Sequence, residues 1–288
     1  MAVAARLAPA KVNLFLHVGP VEANGYHPLA SLVGFADVGD RVSVARADRL
    51  LLTVSGPFGG ALAGEDDNLI LRALRALGVA AGIGEPRLSV TLDKQLPIAA
   101  GLGGGSSDAG AALKLARDTL HLPFDDAALA EVAGTVGADG PMCLHARAGW
   151  AGGHGDRLNF EPRLPPLPCL LVNPGVPSST AAVYRAYDRG PPAEADMPPP
   201  PLDWSPAAVL GWLETSRNDL EGPAIALQPA IAQTLAAVRD LPGVRLTRMS
   251  GSGATVFALF DTREAATGAE ATLRARQPDW WVRTTVLA

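Results

Sequence analysis

One stretch constrains this chain more than any other: Pro97-Ile98-Ala99-Ala100-Gly101-Leu102-Gly103-Gly104-Gly105-Ser106-Ser107-Asp108-Ala109-Gly110-Ala111-Ala112. Upstream, Leu88, Val90 and Leu92 alternate with Ser89, Thr91 and Asp93, which predicts a strand running into it. Downstream, Ala109, Ala112, Leu113, Ala116 and Leu120 keep to one helical face. Between them lie Gly101 and the triplet Gly103 to Gly105. Backbone without Cβ tolerates positive φ and lets a ligand approach closely. Consecutive N–H groups in such a turn converge on an anion, and the helix that follows adds unpaired N–H groups and the positive end of its dipole. The expected guest is a phosphate. A flexible linker would not sit between an alternating strand and an amphipathic helix.

A length of 288 residues suits one large domain or two modest ones. A net charge of −5 without basic runs argues against a nucleic-acid surface and against an anionic membrane surface. Cys143 and Cys169 have no metal-like spacing and form no disulfide framework. Met1 to Ala10 lacks the pattern of a signal peptide and no apolar run reaches membrane-spanning length, so a cytoplasmic location is expected. Of 24 basic residues only Lys11, Lys94 and Lys114 are lysines. In so Arg-biased a chain, a lysine marks a place that wants a compact point charge; Lys114, on an outer helix face, is set aside as chance.

Further strands are predicted over Lys11–Val18, Arg41–Ala45, Leu50–Val54, Val244–Met249, Ala254–Phe260 and Trp281–Val286. Helices are predicted after the Asp66-Asp67-Asn68 cap, after Asp125 or Asp126, and near Ser205–Glu214, Pro229–Arg239 and Glu264–Arg276. The interleaving has no strict βαβ rhythm, which favours α+β layers over a doubly wound sheet. Four prolines within Glu161–Pro168 place a domain boundary near residue 160, and Gly190–Pro201 reads as a Pro-rich exposed loop.

Three common phosphate motifs are excluded. No Gly-Lys dipeptide exists for a P-loop, Ser106 and Asp108 stand where a dinucleotide fingerprint needs glycine, and the protein-kinase tripeptides are missing. The stretch Pro97–Ser107 instead resembles the phosphate motif of the GHMP kinases, a group that includes galactokinases, homoserine kinases and mevalonate kinases. Pro9-Ala10-Lys11-Val12-Asn13-Leu14 and Leu246-Thr247-Arg248-Met249-Ser250-Gly251-Ser252-Gly253-Ala254 are similar to that superfamily's first and third motifs, in the right order. Asn24-Gly25-Tyr26-His27, Gly137-Ala138-Asp139, Asn68-Leu69-Ile70 and Asp93-Lys94-Gln95-Leu96-Pro97 narrow the likeness to the branch whose acceptor carries a cytidine diphosphate group.

The resemblance implies a two-domain α+β fold, with an N-terminal ribosomal-protein-S5-domain-2-like ATP-binding layer (1–160) and a C-terminal ferredoxin-like layer (161–288). It implies ATP-dependent phosphorylation of the 2-hydroxyl of a cytidylated methylerythritol, in the non-mevalonate route to isoprenoid precursors. Asp139 is the implied catalytic base with Lys11 beside it, although local sequence alone reads Asp139 as a turn or cap aspartate. Pro97, Gly101, Leu102, Gly103, Gly104, Gly105, Ser106 and Ser107 are implied to hold the ATP phosphates, with Ser107 or Asp108 approaching Mg²⁺; Asp108 reads equally well as a helix-dipole partner. Asn68 and Lys94 fall to the adenine side, Tyr26 and Tyr184 to the two faces of the cytosine, His27 to its edge, and Asn13 and Thr180 to the erythritol or diphosphate. His17, His121, His145 and His154 receive no role. Three positions depart from the pattern: Pro28, Gly153-His154-Gly155-Asp156, and Gly140, which is expected to leave the backbone after Asp139 less constrained. A homoserine- or mevalonate-type kinase and a catalytically silent nucleotide-binding regulator remain as alternatives.

Overall fold

A computed structural model describes residues 4–62, 64, 67–191 and 193–288. Asp66, in the expected helix cap, and Pro192, in the Pro-rich segment, lie outside the described residues. The chain forms two compact units that interleave along the sequence: one comprises the segments up to Lys11, Val38–Ile98 and Gly103–Ala146, the other Val12–Asp37, Ala99–Leu102 and Arg147–Ala288.

Two long strands, β1 (Ala4–Val18) and β2 (Leu29–Arg46), contribute to both units. In the first unit, the end of β2 pairs antiparallel with β4 (Leu88–Asp93), from Arg41 opposite Asp93 to Arg46 opposite Leu88. Strand β3 (Leu51–Ser55) adds to β4 in parallel. The four helices of this unit are α1 (Leu69–Ala80), α2 (Gly104–Leu120), α3 (Asp126–Gly134) and α4 (Gly140–His145). Their small apolar faces close one core with the strands, built from Val42, Val44, Leu74, Leu77, Val90, Leu92, Ala112, Leu113 and Leu129. Local caps explain where two of these helices begin. Asn68 accepts from the Ile70 N–H and Asp125 from the Ala128 N–H, each satisfying a donor that the helix start leaves unpaired.

The second unit holds a hairpin of β5 (Gly149–Gly152) and β6 (Arg157–Phe160), with β5 antiparallel to the start of β2. The composition change at Glu161–Pro168 falls inside this unit, where the chain leaves β6 for β7 (Leu167–Asn173). Helices α5 (Thr180–Tyr187), α6 (Pro206–Glu214), α7 (Glu221–Leu227) and α8 (Ala230–Arg239) precede strands β8 (Val244–Met249) and β9 (Val256–Phe260). Helix α9 (Arg263–Arg276) and β10 (Trp281–Leu287) complete the chain. Here the antiparallel order is β2-β10-β7-β9-β8. Every residue of β9 is buried, and Val172, Val238, Val256, Phe260, Leu273 and Val282 meet in a second core.

Gly140 corrects one expectation. A Cβ built on it would lie 2.2 Å from the Ala133 carbonyl oxygen, so the start of α4 packs directly on the end of α3. Glycine here fixes the backbone after Asp139 by close approach instead of loosening it. Gly140→Ala is therefore expected to cost about 1–3 kcal/mol through forced separation of the two helices, read as a lower denaturation midpoint at unchanged slope.

Candidate active site

Lys11 lies on β1 with its side chain 7% exposed, and a buried ammonium needs a counter-charge. Asp139 supplies it: Nζ donates to Oδ1 at 2.6 Å. Burial by itself would lower the lysine's pKa, but the charge of Asp139 and its hydrogen bond outweigh that and raise it, so Lys11 stays cationic. Asp139 occupies the N-cap position of α4, as its local sequence predicts, yet its side chain makes no capping hydrogen bond. The carboxylate is turned to Lys11 instead. A sterically tight turn holds the pair in place: a Cβ on Gly103 would sit 3.1 Å from Lys11 Cβ and 3.3 Å from Cys143 Sγ. Gly103 has φ +61° and serves as N-cap of α2, whose first turn is Gly104, Gly105, Ser106 and Ser107. That leaves the N–H groups of a 17-residue helix start without side-chain capping, next to a cation.

A second buried lysine underlies the same helix. Lys94 Nζ donates to Asp40 Oδ2 at 2.5 Å and to Asp108 Oδ2 at 2.7 Å, with all three side chains almost wholly buried. Asp40 Oδ1 accepts from the backbone N–H of Gln95 and of Leu96, which fastens the chain just before the glycine turn. Two carboxylates share one ammonium, and burial together with Asp40 raises the Asp108 pKa from 3.8 to about 8 against the pull of Lys94. The Lys94 ammonium is thus committed to the protein, and so is its backbone: the N–H donates to the Ser55 carbonyl at 2.9 Å and the carbonyl accepts from the Phe58 N–H at 3.2 Å, so the structure does not present Lys94 to an adenine. Asn68 spends its Oδ1 on the α1 cap. Ser107 Oγ and Asp108 Oδ1 are both buried without a hydrogen-bond partner, and they lie on the first turns of α2. Among the described residues, no group of three or more His, Cys, Asp or Glu side chains is placed to hold a metal ion.

In the second unit, Gly101 (φ +73°) lies against the C-terminal glycine loop: a Cβ there would meet the Ser250 carbonyl oxygen at 2.3 Å. Ser250 Oγ donates to the Gly101 carbonyl at 2.9 Å, and Asn218 Nδ2 donates to the carbonyls of Met249 and Gly251 at 2.8 Å each. Asn13 is buried, with Nδ2 donating to Ser31 Oγ, and the missing Cβ of Gly251 leaves space beside its Oδ1. Thr180 Oγ1 is hydrogen-bonded to Ser252 Oγ at 2.8 Å. Leu102 is buried, as is Ala100, whereas Pro97 precedes them in the first unit.

The aromatic residues gather in the same unit. His27 packs its ring on Tyr184 at 4.9 Å between centroids and edge-on to Tyr187 at 5.7 Å. Tyr26 is 61% exposed and rests against His154 at 5.7 Å; His154 Nε2 lies 2.9 Å from Glu22 Oε2. The structure thus brings His27 and Tyr184 together, whereas the ring contact of Tyr26 is with His154; an exposed tyrosine face offers a planar ring a stacking surface.

Residues 68–147 match the model of the GHMP kinases N terminal domain, and 208–279 that of the GHMP kinases C terminal domain. The 4-diphosphocytidyl-2-C-methyl-D-erythritol kinase of Caulobacter vibrioides (strain NA1000 / CB15N) is 53% identical over 279 residues, 96% of each chain. That of Methylobacterium radiotolerans is 49% identical over 292 residues, the full length of both. A crystal structure of 4-(cytidine 5'-diphospho)-2C-methyl-D-erythritol kinase superposes with a TM-score of 0.79 at 34% identity, covering 99% of each chain. The chain belongs to the 4-diphosphocytidyl-2-C-methyl-D-erythritol kinase family of the GHMP kinases.

In this family member, Asp40 escaped sequence reading, because its partner Lys94 is 54 residues away and nothing near it sets it apart from a strand-edge aspartate. The lysine bias was the one available signal for that cluster. Lys114 carries less surprise: it pairs with Asp126 at 3.0 Å and steadies α2 against the start of α3.

Two outcomes follow for the buried cluster. Lys94→Met leaves two carboxylates buried without a cation and is expected to cost about 3–5 kcal/mol, measured by denaturant unfolding. For Asp108, a folded-state pKa raised from 3.8 to about 8 means that the native chain binds the extra proton in that window. Its contribution is therefore full at low pH and is lost as pH rises towards 8. Asp108→Asn, which stays neutral, should flatten that decline when unfolding free energy is compared with the parent across the window.

Proposed function

We propose that the chain transfers the γ-phosphoryl group of ATP to the 2-hydroxyl of 4-diphosphocytidyl-2-C-methyl-D-erythritol, releasing ADP and the 2-phosphate, in the non-mevalonate supply of isoprenoid precursors. The observation that carries the chemistry is the Lys11–Asp139 pair: an aspartate at a helix start that declines to cap the helix and faces a buried ammonium. Phosphoryl transfer asks for alignment, neutralisation of charge and an acceptor for the hydroxyl proton. Asp139 takes that proton. Lys11 stabilises the alkoxide as it forms and the charge on the phosphoryl oxygens.

The backbone N–H groups of Gly103 to Ser106 at the start of α2 hold the ATP phosphates, with Gly101 and Leu102 on the entering side of the turn, while the Ser107 N–H is spent on the Gly103 carbonyl and leaves only its hydroxyl. The orphaned Ser107 Oγ and Asp108 Oδ1 fit a Mg²⁺–phosphate complex, in which the ion would offset phosphate charge. Tyr26 and Tyr184 stack on the cytosine, His27 reads its edge, and Asn13 and Thr180 serve the polyol and diphosphate. This is an activity for the cytoplasm, consistent with the absence, among the described residues, of a helix long and apolar enough to cross a membrane.

A coupled ADP-release assay over the cytidyl substrate, homoserine and mevalonate tests the acceptor; turnover confined to homoserine or mevalonate would sink the proposal. Asp139→Ala should lower kcat by roughly 10²–10⁴-fold, the usual worth of a positioned base, while titration calorimetry still detects ATP binding. Undiminished turnover would take Asp139 out of the mechanism.

A further inference from the structure

The run Leu29–Ala36 at the start of β2 holds one polar side chain, Ser31, and it is fully buried. A hydroxyl is costly there unless its hydrogen and its lone pairs are used. Ser31 Oγ lies 2.5 Å from the Phe15 carbonyl oxygen. Two oxygens come that close only with a hydrogen between them, so the single hydroxyl hydrogen goes to Phe15. What Ser31 has left is lone pairs. Its other neighbour is the amide of Asn13, at 2.8 Å, and an oxygen with no hydrogen to give can face only the NH₂ side of that amide. The Asn13 amide is thereby oriented, with Nδ2 turned to Ser31 and Oδ1 away from it. A second serine does the same for the backbone of Asn13. Ser250 Oγ gives its hydrogen to the Gly101 carbonyl at 2.9 Å and accepts from the Asn13 N–H at 3.2 Å.

Among the described residues, Oδ1 of Asn13 meets no donor of the protein, and beside it is Gly251, where a Cβ would stand 3.5 Å away. An amide oxygen held in this way can only accept. It suits a hydroxyl and repels a phosphate oxygen, whereas the opposite flip would present an NH₂ group and suit the phosphate. We infer that Ser31 is a positioning residue: it locks the Asn13 amide with its oxygen open to the acceptor substrate, so that Asn13 takes a hydroxyl of the polyol and not the diphosphate. This rests on the reading that Asn13 contacts the acceptor substrate. Ser31 itself, with no exposed surface, touches no ligand and acts only through Asn13.

A double-mutant cycle in kcat/KM for the cytidyl substrate tests this, with KM for ATP and the urea midpoint read alongside. Asn13→Ala should lower kcat/KM. Ser31→Ala frees the amide to flip and should lower it by roughly 3–10-fold, the worth of about one hydrogen bond, at unchanged KM for ATP. Adding Ser31→Ala to Asn13→Ala should then cost nothing further in kcat/KM, because the group that Ser31 orients is gone. Ser31→Cys, close in shape but with a weakly accepting sulfur, repeats the cycle without opening a cavity. A serine of purely structural worth acts in every background, so equal losses in the parent and in Asn13→Ala would overturn the assignment, as would Ser31→Ala and Ser31→Cys at the parent's kcat/KM. The hydroxyl is tested by competition with substrate analogues that each lack one polyol hydroxyl. One of them should bind the parent and Asn13→Ala equally; if all bind Asn13→Ala more weakly, Asn13 does not take a hydroxyl. Should Asn13→Ala itself leave kcat/KM unchanged, the reading that Asn13 contacts the substrate fails and the inference falls with it. A loss in Asn13→Ala without coupling to Ser31 removes the inference alone.

Discussion

A buried ammonium needs a counter-charge, and among the described residues Lys11 and Lys94 are buried in this way. Both are ammoniums in a chain that otherwise spends its positive charge almost entirely on arginine. Size explains the choice. A guanidinium is broad and presents a fork of donors, whereas an ammonium is a compact point with three rotatable donors. Lys94 must reach two carboxylates at once beneath a helix start, where a Cβ on Gly104 would already be 3.1 Å from its Nζ. Lys11 must lie under Gly103 with only van der Waals clearance. Arg248 shows the alternative use: its guanidinium is buried too, but it fans out to the carbonyls of Leu14, Leu213 and Ser216, a backbone clamp that no ammonium could match.

The Lys94 cluster sets the form of the glycine turn. The backbone entering it is fixed by Asp40, through the N–H groups of Gln95 and Leu96, and the helix leaving it is fixed by Asp108. Neither tie uses the turn's own N–H groups, so these stay free for a ligand. An anion nest has to be rigid and unsatisfied at once, and the cluster beneath supplies the rigidity from outside. Gly140 plays the equivalent part for Asp139, letting α4 start hard against the Ala133 carbonyl so that the aspartate has a defined place from which to meet Lys11.

What could be read in the sequence follows the range of the interaction concerned. Caps at Asn68 and Asp125, the alternating Leu88–Asp93 strand and the strand–glycine–helix passage all depend on neighbours a few residues apart, and they are legible. The first half of β2 is not, because Leu29–Ala36 is buried on both faces and shows no period-2 alternation. Helices α5 and α7 have only eight and seven residues, too short to display a helical period. For Asp139, local sequence was right about place and silent about purpose: it does stand at a helix start, and only the strand carrying Lys11, 128 residues earlier, explains where its carboxylate points. Asp40 belongs to the same class, since its partner Lys94 is distant in sequence.

The buried ammonium–carboxylate groups and the exposed ring-bearing residues are held by different kinds of energy. Lys11 and Lys94 are buried among their carboxylate partners, so losing either lysine leaves carboxylates without their cation. Tyr26, His154 and Glu22 are wholly or partly exposed and joined by a ring contact and an ion pair that water screens, so changes there cost the fold little. Changes at the exposed rings leave the ammonium–carboxylate pairs intact, and these hold the helix start and Asp139 in place. His27 stands between the two regimes, since its ring is as deeply packed as a core residue but one nitrogen faces an accessible carboxylate.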